Sequence, residues 1–159
     1  MVMIRQFRLN DLEPVSELVE ENFREKYDTN FYLTFYNLWS RGMLVAEDNG
    51  NIIGFLLGVV YDSHRGRVLI LVVKEGYRGK GIGRAILDKF ITICKSIGVT
   101  TVTLEVRKSN KRAISFYQKY GFRIVRVIPK YYTDGEDGYE MMLYLGESGG
   151  ENRAKMQGQ

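Results

Sequence analysis

The sequence predicts an α/β fold, a mixed sheet with helices on both faces. Three observations carry this. Apolar residues recur with a period of two in some segments and at spacings of three and four in others, and the two kinds of segment alternate along the chain. An Asn49-Gly50 pair stands between two apolar runs, a strong hairpin signal. The leucine and β-branched run Val68 to Val73 breaks into a glycine-rich basic turn and resumes at helical spacing.

The elements follow in order. A strand over Met3 to Arg8 leads to Asn10 or Asp11 as an N-cap, then to a helix with Val15, Leu18, Val19 and Asn22 on one face, ending near Phe23. A loop from Arg24 to Asn30 precedes a second helical stretch in which Phe31, Phe35 and Leu38 share a face. Met43 to Glu47 and Ile52 to Tyr61 form the hairpin, and a turn over Asp62 to Arg67 returns the chain to Val68 to Val73, read as a mid-sheet strand buried on both faces. The following helix places Ile82, Ile86, Phe90, Ile93 and Ile97 on one side and ends at Gly98. Thr101 to Val106 is the next strand. Ser109 or Asn110 caps a helix running to Tyr120 and ended by Gly121, and Phe122 to Ile128 and Tyr139 to Leu145 complete the sheet.

With 159 residues and 45% hydrophobic content, the chain is long enough to bury a core without staples. Its single cysteine, Cys94, cannot form an internal disulfide and falls on the apolar side of the third helix. No apolar run approaches the roughly 18 residues that span a bilayer, and no leader pattern opens the chain, so it reads as cytoplasmic with no membrane partner. The formal charge of +4 comes from basic residues scattered among 19 acidic ones, which argues against nucleic-acid binding. The lone His64 sits in a turn and no cysteine or histidine cluster offers a metal site. No feature points to a particular oligomeric state.

The chemistry begins at Arg78-Gly79-Lys80-Gly81-Ile82-Gly83. Side chains are missing at alternate positions, so backbone amides can approach a ligand, and the positive end of the following helix faces whatever the loop holds. Arg78, Lys80 and Arg84 add charge. The geometry suits a pyrophosphate, yet neither the Walker spacing nor the dinucleotide fingerprint is present.

A second segment, Leu104-Glu105-Val106-Arg107-Lys108-Ser109-Asn110, followed by Ala113-Ile114-Ser115-Phe116-Tyr117 and Gly121-Phe122, completes the pattern. Together the two segments resemble the GNAT superfamily of acetyl-coenzyme A dependent N-acetyltransferases, over about residues 3 to 145. The resemblance implies a mostly antiparallel central sheet of about seven strands and a GNAT acetyltransferase domain over 1–146, while the polar, glycine-rich composition of 147–159, without periodicity, reads as a disordered tail. It also implies acetyl-CoA as co-substrate, with no metal. The coenzyme's pantetheine arm would pair with the backbone of Leu71 and Val73, and its pyrophosphate with the amides of Arg78, Gly79, Lys80, Gly81, Ile82 and Gly83. Asn110 would hydrogen-bond the pantetheine, and Tyr117 would lie near the sulfur.

Within the superfamily, LEVRKSN and Lys130-Tyr131-Tyr132-Thr133-Asp134-Gly135-Glu136-Asp137 are similar to the protein Nα-acetyltransferases, of the ribosomal-protein alanine N-acetyltransferase and Ard-type kinds. That resemblance implies Glu105 as general base, Tyr117 as general acid, and Tyr131 and Tyr132 holding the substrate's N-terminal backbone. In that branch the loop after the first helix faces the substrate, so the resemblance makes Phe23, Glu25 and Tyr27 candidate substrate contacts. The Ard-type pattern has a proline where this chain has Arg24. Partners would be protein or peptide N-termini, including ribosomal proteins or nascent chains.

Acid-base chemistry suits this assignment. An α-amine of pKa 7.7–8.0 is roughly 10 to 20% neutral at pH 7, whereas a lysine is about 0.04% neutral, a deficit of about 3 kcal/mol. The α-amine is the easier nucleophile, and a modest base serves it. The Val73 amide is the candidate donor to the oxyanion. Other readings of the same residues stay open: a strand glutamate can face solvent, Tyr117 can be a core aromatic, and Tyr131 and Tyr132 a hairpin pair. Acetylation of a small-molecule amine or a lysine, and a noncatalytic acetyl-CoA-binding module, are the rival functions.

Overall fold

The computed structural model describes residues 1–146, so the tail read as disordered lies outside the described residues. The described residues form seven strands and four α-helices, in the order β1 (Val2–Gln6), α1 (Leu12–Asn22), α2 (Thr29–Trp39), β2 (Met43–Asp48), β3 (Asn51–Tyr61), β4 (Arg65–Val73), α3 (Ile82–Ser96), β5 (Thr101–Arg107), α4 (Lys111–Tyr120), β6 (Arg123–Ile128) and β7 (Gly138–Tyr144). The strand order is β1-β2-β3-β4-β5-β7-β6. The pairs β1/β2, β2/β3, β5/β7 and β6/β7 are antiparallel, which gives the mixed, mostly antiparallel sheet that the sequence predicts. The contacts divide the chain into two compact units: Met1–Val59 with Val68–Ile93, and Val60–Arg67 with Cys94 onward.

In the first unit the hairpin turns at Asn49 and Gly50, both with positive φ, as a two-residue primed turn requires. Alternation then sorts the strands' side chains. Met43, Val45, Phe55 and Leu57 join Phe7, Val15, Leu18, Val19 and Tyr32 in a core under α1 and α2. Gly54 and Gly58, on the other face of β3, lie against Ile86 and Phe90 of α3. Helices therefore cover both faces of this part of the sheet. A Cβ at Gly58 would stand 2.3 Å from the Phe90 ring, so only glycine allows so close a helix approach.

Two caps differ from expectation. Asp11 does not cap α1 with its side chain; its carboxylate accepts from the Arg8 amide at 2.7 Å and takes both terminal nitrogens of Arg5, at 2.8 and 2.9 Å. Those partners outweigh the cost of burial and hold the Asp11 carboxyl below its ordinary range. For α2 the cap is Asp28, whose Oδ1 accepts from the Phe31 amide at 3.0 Å, so the helix begins at Thr29, inside the segment read as loop.

Strand β4 begins at Arg65, earlier than the apolar run suggests. It is buried at Gly66, Val68, Ile70 and Val72 and half-buried at Arg67, Leu69, Leu71 and Val73. Only one of its faces is fully covered; large aliphatic residues occupy both, so composition hides the alternation. Helix α3 stops at Ser96, and Ile97, assigned to its apolar side, is 40% exposed.

In the second unit Val102, Leu104 and Val106 alternate inward along β5 and are buried, as are Met141 of β7, Tyr117 of α4 and Phe122. The register pairs Leu104 with Met141 and Glu105 with Glu140. The opposite row of β5 carries Thr101, Thr103, Glu105 and Arg107, of which Thr103 is buried and Glu105 and Arg107 are half-buried.

Candidate active site

The glycine loop belongs to the first unit. Gly79 and Gly81 have φ of +78° and +83°, and a Cβ at either would meet only open space. Left-handed residues alternating with Lys80, which is not left-handed, turn successive amides to one side and form an anion nest. Ile82 and Gly83 open α3, where amides have no carbonyl one turn back. Among the described residues the amides of Gly79, Gly81, Ile82 and Gly83 make no hydrogen bond to another protein group outside the helices and strands. Unsatisfied donors, positive φ and a helix N-terminus fit a pyrophosphate. The Lys80 ammonium lies 5.6 Å from the Tyr77 ring centroid.

The Arg78 side chain is placed otherwise than the sequence reading counts it. Its Nε donates to the Val73 carbonyl at 3.1 Å and its Nη2 to Asn22 Oδ1. A strand-end carbonyl needs a donor, and Arg78 is five residues on. Its guanidinium braces the end of β4 against the end of α1, while its amide stays in the loop. Leu71 and Val73 occupy half-buried positions of β4. Phe23 ends α1, and Phe23 and Tyr27 pack on the first unit's core, with the Tyr27 ring stacked on Phe31 at 4.3 Å between centroids. Glu25 lies half-buried between them in sequence.

The second unit holds the acid-base candidates. Glu105 stands in β5 with its side chain 12% exposed, and Arg67 approaches it with Nε at 2.9 Å and Nη2 at 2.6 Å, both from Oε1. Partial burial works against the Arg67 charge, but the Glu105 carboxylate outweighs it and holds the guanidinium above its ordinary range. The same Nη2 donates to Tyr131 Oη at 3.1 Å. Burial, and next the Glu105 charge, push the Tyr131 phenol up. Glu140, opposite Glu105 on the same face, accepts from Arg126 Nε at 2.9 Å, so each of two facing carboxylates that would otherwise repel has its own arginine.

Tyr117 is 8% exposed, with its ring edge-on to Phe116 and Phe122; burial pushes its phenol well above the ordinary range. Asn110 caps α4, its Oδ1 accepting from the Ala113 amide at 3.2 Å. Tyr131 and Tyr132 follow β6 in the loop to β7, their rings at 5.0 Å and nearly perpendicular. Arg107 organises that loop. Its Nη1 bonds Asp134 and Glu136, each at 2.9 Å, and its guanidinium lies over Tyr132. Glu136 also accepts from the Ser109 amide at 2.9 Å, and that bond together with Arg107 holds its carboxyl below the usual range.

The structure thus joins Glu105 to Tyr131 through Arg67, and Tyr132 to the LEVRKSN segment through Arg107. Sequence reasoning missed both arginines in these roles. The sequence places Arg67 at the end of a turn; a charged residue at an alternate position just before a strand's apolar run is the signal that finds it.

The fold and these residues define a class. The chain belongs to the acetyltransferase (GNAT) family, whose model matches residues 12–122. It is 37% identical over 142 residues to an N-acetyltransferase of Methanocaldococcus jannaschii, covering 89% of this chain and 90% of that one. It is similar to the crystal structure of Ard1 from Thermoplasma volcanium, at 34% identity and a TM-score of 0.88, over 92% of this chain and 99% of that one. It is also similar to Naa50 of Arabidopsis thaliana, solved with the bisubstrate analogue CoA-Ac-MVNAL, at 25% identity and a TM-score of 0.81, over 91% of this chain and 99% of that one. Among the described residues no group of three or more His, Cys, Asp or Glu could hold a metal, and no helix is long and apolar enough to cross a membrane.

Proposed function

We propose that this protein is an Nα-acetyltransferase that moves acetyl from acetyl-CoA to the α-amino group of a protein or peptide N-terminus, by direct attack in a ternary complex. The observation that carries the reading is likeness over nine-tenths of the chain to an enzyme solved with a coenzyme joined through acetyl to a peptide. The Glu105–Arg67–Tyr131 cluster adds support, because it sets a carboxylate beside a phenol suited to holding a peptide backbone.

The coenzyme supplies an activated acetyl group as its thioester. The amides of Arg78 to Gly83 hold its pyrophosphate, the backbone of Leu71 and Val73 pairs with its pantetheine arm, and Asn110 hydrogen-bonds that arm. Phe23, Glu25, Tyr27, Tyr131 and Tyr132 hold the substrate's first residues. Both contacts from Arg67 fall on Oε1 of Glu105, and the carboxylate receives the amine's proton, directly or through one water. Tyr117 returns a proton to the departing thiolate; burial keeps its phenol protonated at neutral pH. Val73 contributes its amide to the oxyanion. The enzyme acts in the cytoplasm, where ribosomal proteins and nascent chains present free α-amines.

The test mixes purified protein and acetyl-CoA with peptides beginning Ala, Ser, Met or Glu, and with acetyl-Ser peptides carrying an internal lysine, and reads thiol release and the mass-localised product. Acetylation confined to free α-amines is the expected result. Label on lysine alone, or on no peptide, overturns the reading in favour of a small-amine acetyltransferase or a coenzyme-binding module.

A further inference from the structure

We infer that Arg67 is a positioning residue of the acetyl-transfer site, a single guanidinium that fixes the proposed base Glu105 and the proposed substrate-holding phenol of Tyr131 relative to each other. The inference rests on the function proposed above and adds a residue to it. It starts from where the three groups lie in the chain: 38 residues separate Arg67 from Glu105 and 64 separate it from Tyr131. Tyr131 sits in a loop and Glu105 in a strand, so backbone structure alone does not lock their side chains together.

The guanidinium does so through its fork. Nε and Nη2 converge on Oε1 of Glu105 while Nη2 also reaches Tyr131 Oη, so three contacts fix the carboxylate's rotation and the phenol's position together. The Arg67 side chain is 35% exposed and that of Glu105 12%, so the pair is screened less than a surface ion pair. The groups facing this cluster from neighbouring strands are Glu140, across from Glu105, and Arg126, bonded to Glu140; that second pair leaves Arg67 committed to Glu105. A lysine cannot substitute, because an ammonium is a point charge without the planar fork that meets two separate acceptors.

The experiment compares wild type, Arg67→Lys, Arg67→Met, Tyr131→Phe and the Arg67→Met/Tyr131→Phe double variant. It measures thermal melting, coenzyme Kd by calorimetry, and kcat and peptide KM. The expected result is native melting and unchanged coenzyme Kd for Arg67→Lys, with kcat lowered about 10- to 100-fold, the scale of a small misplacement of a reacting group. Arg67→Met lowers kcat at least as far and raises KM. Adding Tyr131→Phe to Arg67→Met raises KM by less than it does in wild type, since the phenol is already unfixed. A folded Arg67→Lys protein with wild-type kcat and KM overturns the role, as does full additivity of the two substitutions in kcat/KM. Wild type that acetylates no peptide overturns the functional reading itself, whereas active wild type with an equally active Arg67→Met variant overturns the Arg67 role alone.

Discussion

The guanidinium carbon of Arg107 sits 4.2 Å from the centroid of the Tyr132 ring while its Nη1 holds Asp134 and Glu136. One side chain of β5 therefore stacks on a proposed substrate contact and clamps the loop that carries it. Replacing Arg107 by Met removes a cation–π contact and two charge-assisted bonds. The expected outcome is faster hydrogen exchange over residues 131–137 and a several-fold higher peptide KM, with coenzyme affinity unchanged. Unaltered exchange in this loop shows that the backbone alone orders it.

Glu105→Gln keeps the side chain's shape and removes its capacity to accept a proton. We expect kcat for α-amine acetylation to fall about 100- to 10,000-fold while coenzyme Kd stays within twofold, as measured by steady-state kinetics and calorimetry. Wild-type turnover in this variant assigns the proton to another group.

Gly81 holds φ at +83°, where an alanine is strained by about 1–2 kcal/mol. With open space around the added Cβ, Gly81→Ala keeps the fold but moves the loop's amides. Coenzyme binding should weaken roughly tenfold, the equivalent of about 1.4 kcal/mol. Gly58→Ala should do the reverse: its Cβ would meet the Phe90 ring at 2.3 Å, so melting falls by several degrees, for about 1–3 kcal/mol of overpacking, with coenzyme affinity retained in the folded fraction.

Burial pushes both the Cys94 thiol and the Tyr32 phenol up to about 12. In the unfolded chain these groups ionise near 8.5 and 10. The folded state therefore binds more protons across that interval, and stability falls as pH rises, by about 1.4 kcal/mol per pH unit for each group. Urea midpoints should be flat below pH 8 with respect to these two groups and decline from about pH 9 toward 12. Cys94→Ala should remove the early part of the decline and Tyr32→Phe the later part. A midpoint that rises over this range refutes the assignment.

The parts of this architecture that were legible are those written within a few neighbouring residues. The hairpin at Asn49-Gly50, the glycine nest, the Asn110 cap and the order of strands and helices follow from local rules, and each appears in the structure. Asp11 was misread because its partners, Arg5 and Arg8, compete with the cap that its position suggests. Arg67 and Arg107 escaped because their acceptors lie 27 or more residues away, and no pattern in one segment marks a pairing made across strands and loops. The side chain of Arg78 followed the same logic, with the glycines predicting its backbone and a distant asparagine deciding its guanidinium.

The capping of α4 by Asn110 has a chemical corollary. With Oδ1 bound to the Ala113 amide, this carboxamide keeps its –NH₂ for a ligand's acceptor, such as an amide carbonyl of the proposed pantetheine arm. Aspartate caps a helix as well as asparagine does but has no N–H to give. Asn110→Asp is thus a substitution that folding tolerates and a carbonyl ligand does not, which makes one amide group the place where helix formation and ligand polarity are chosen together.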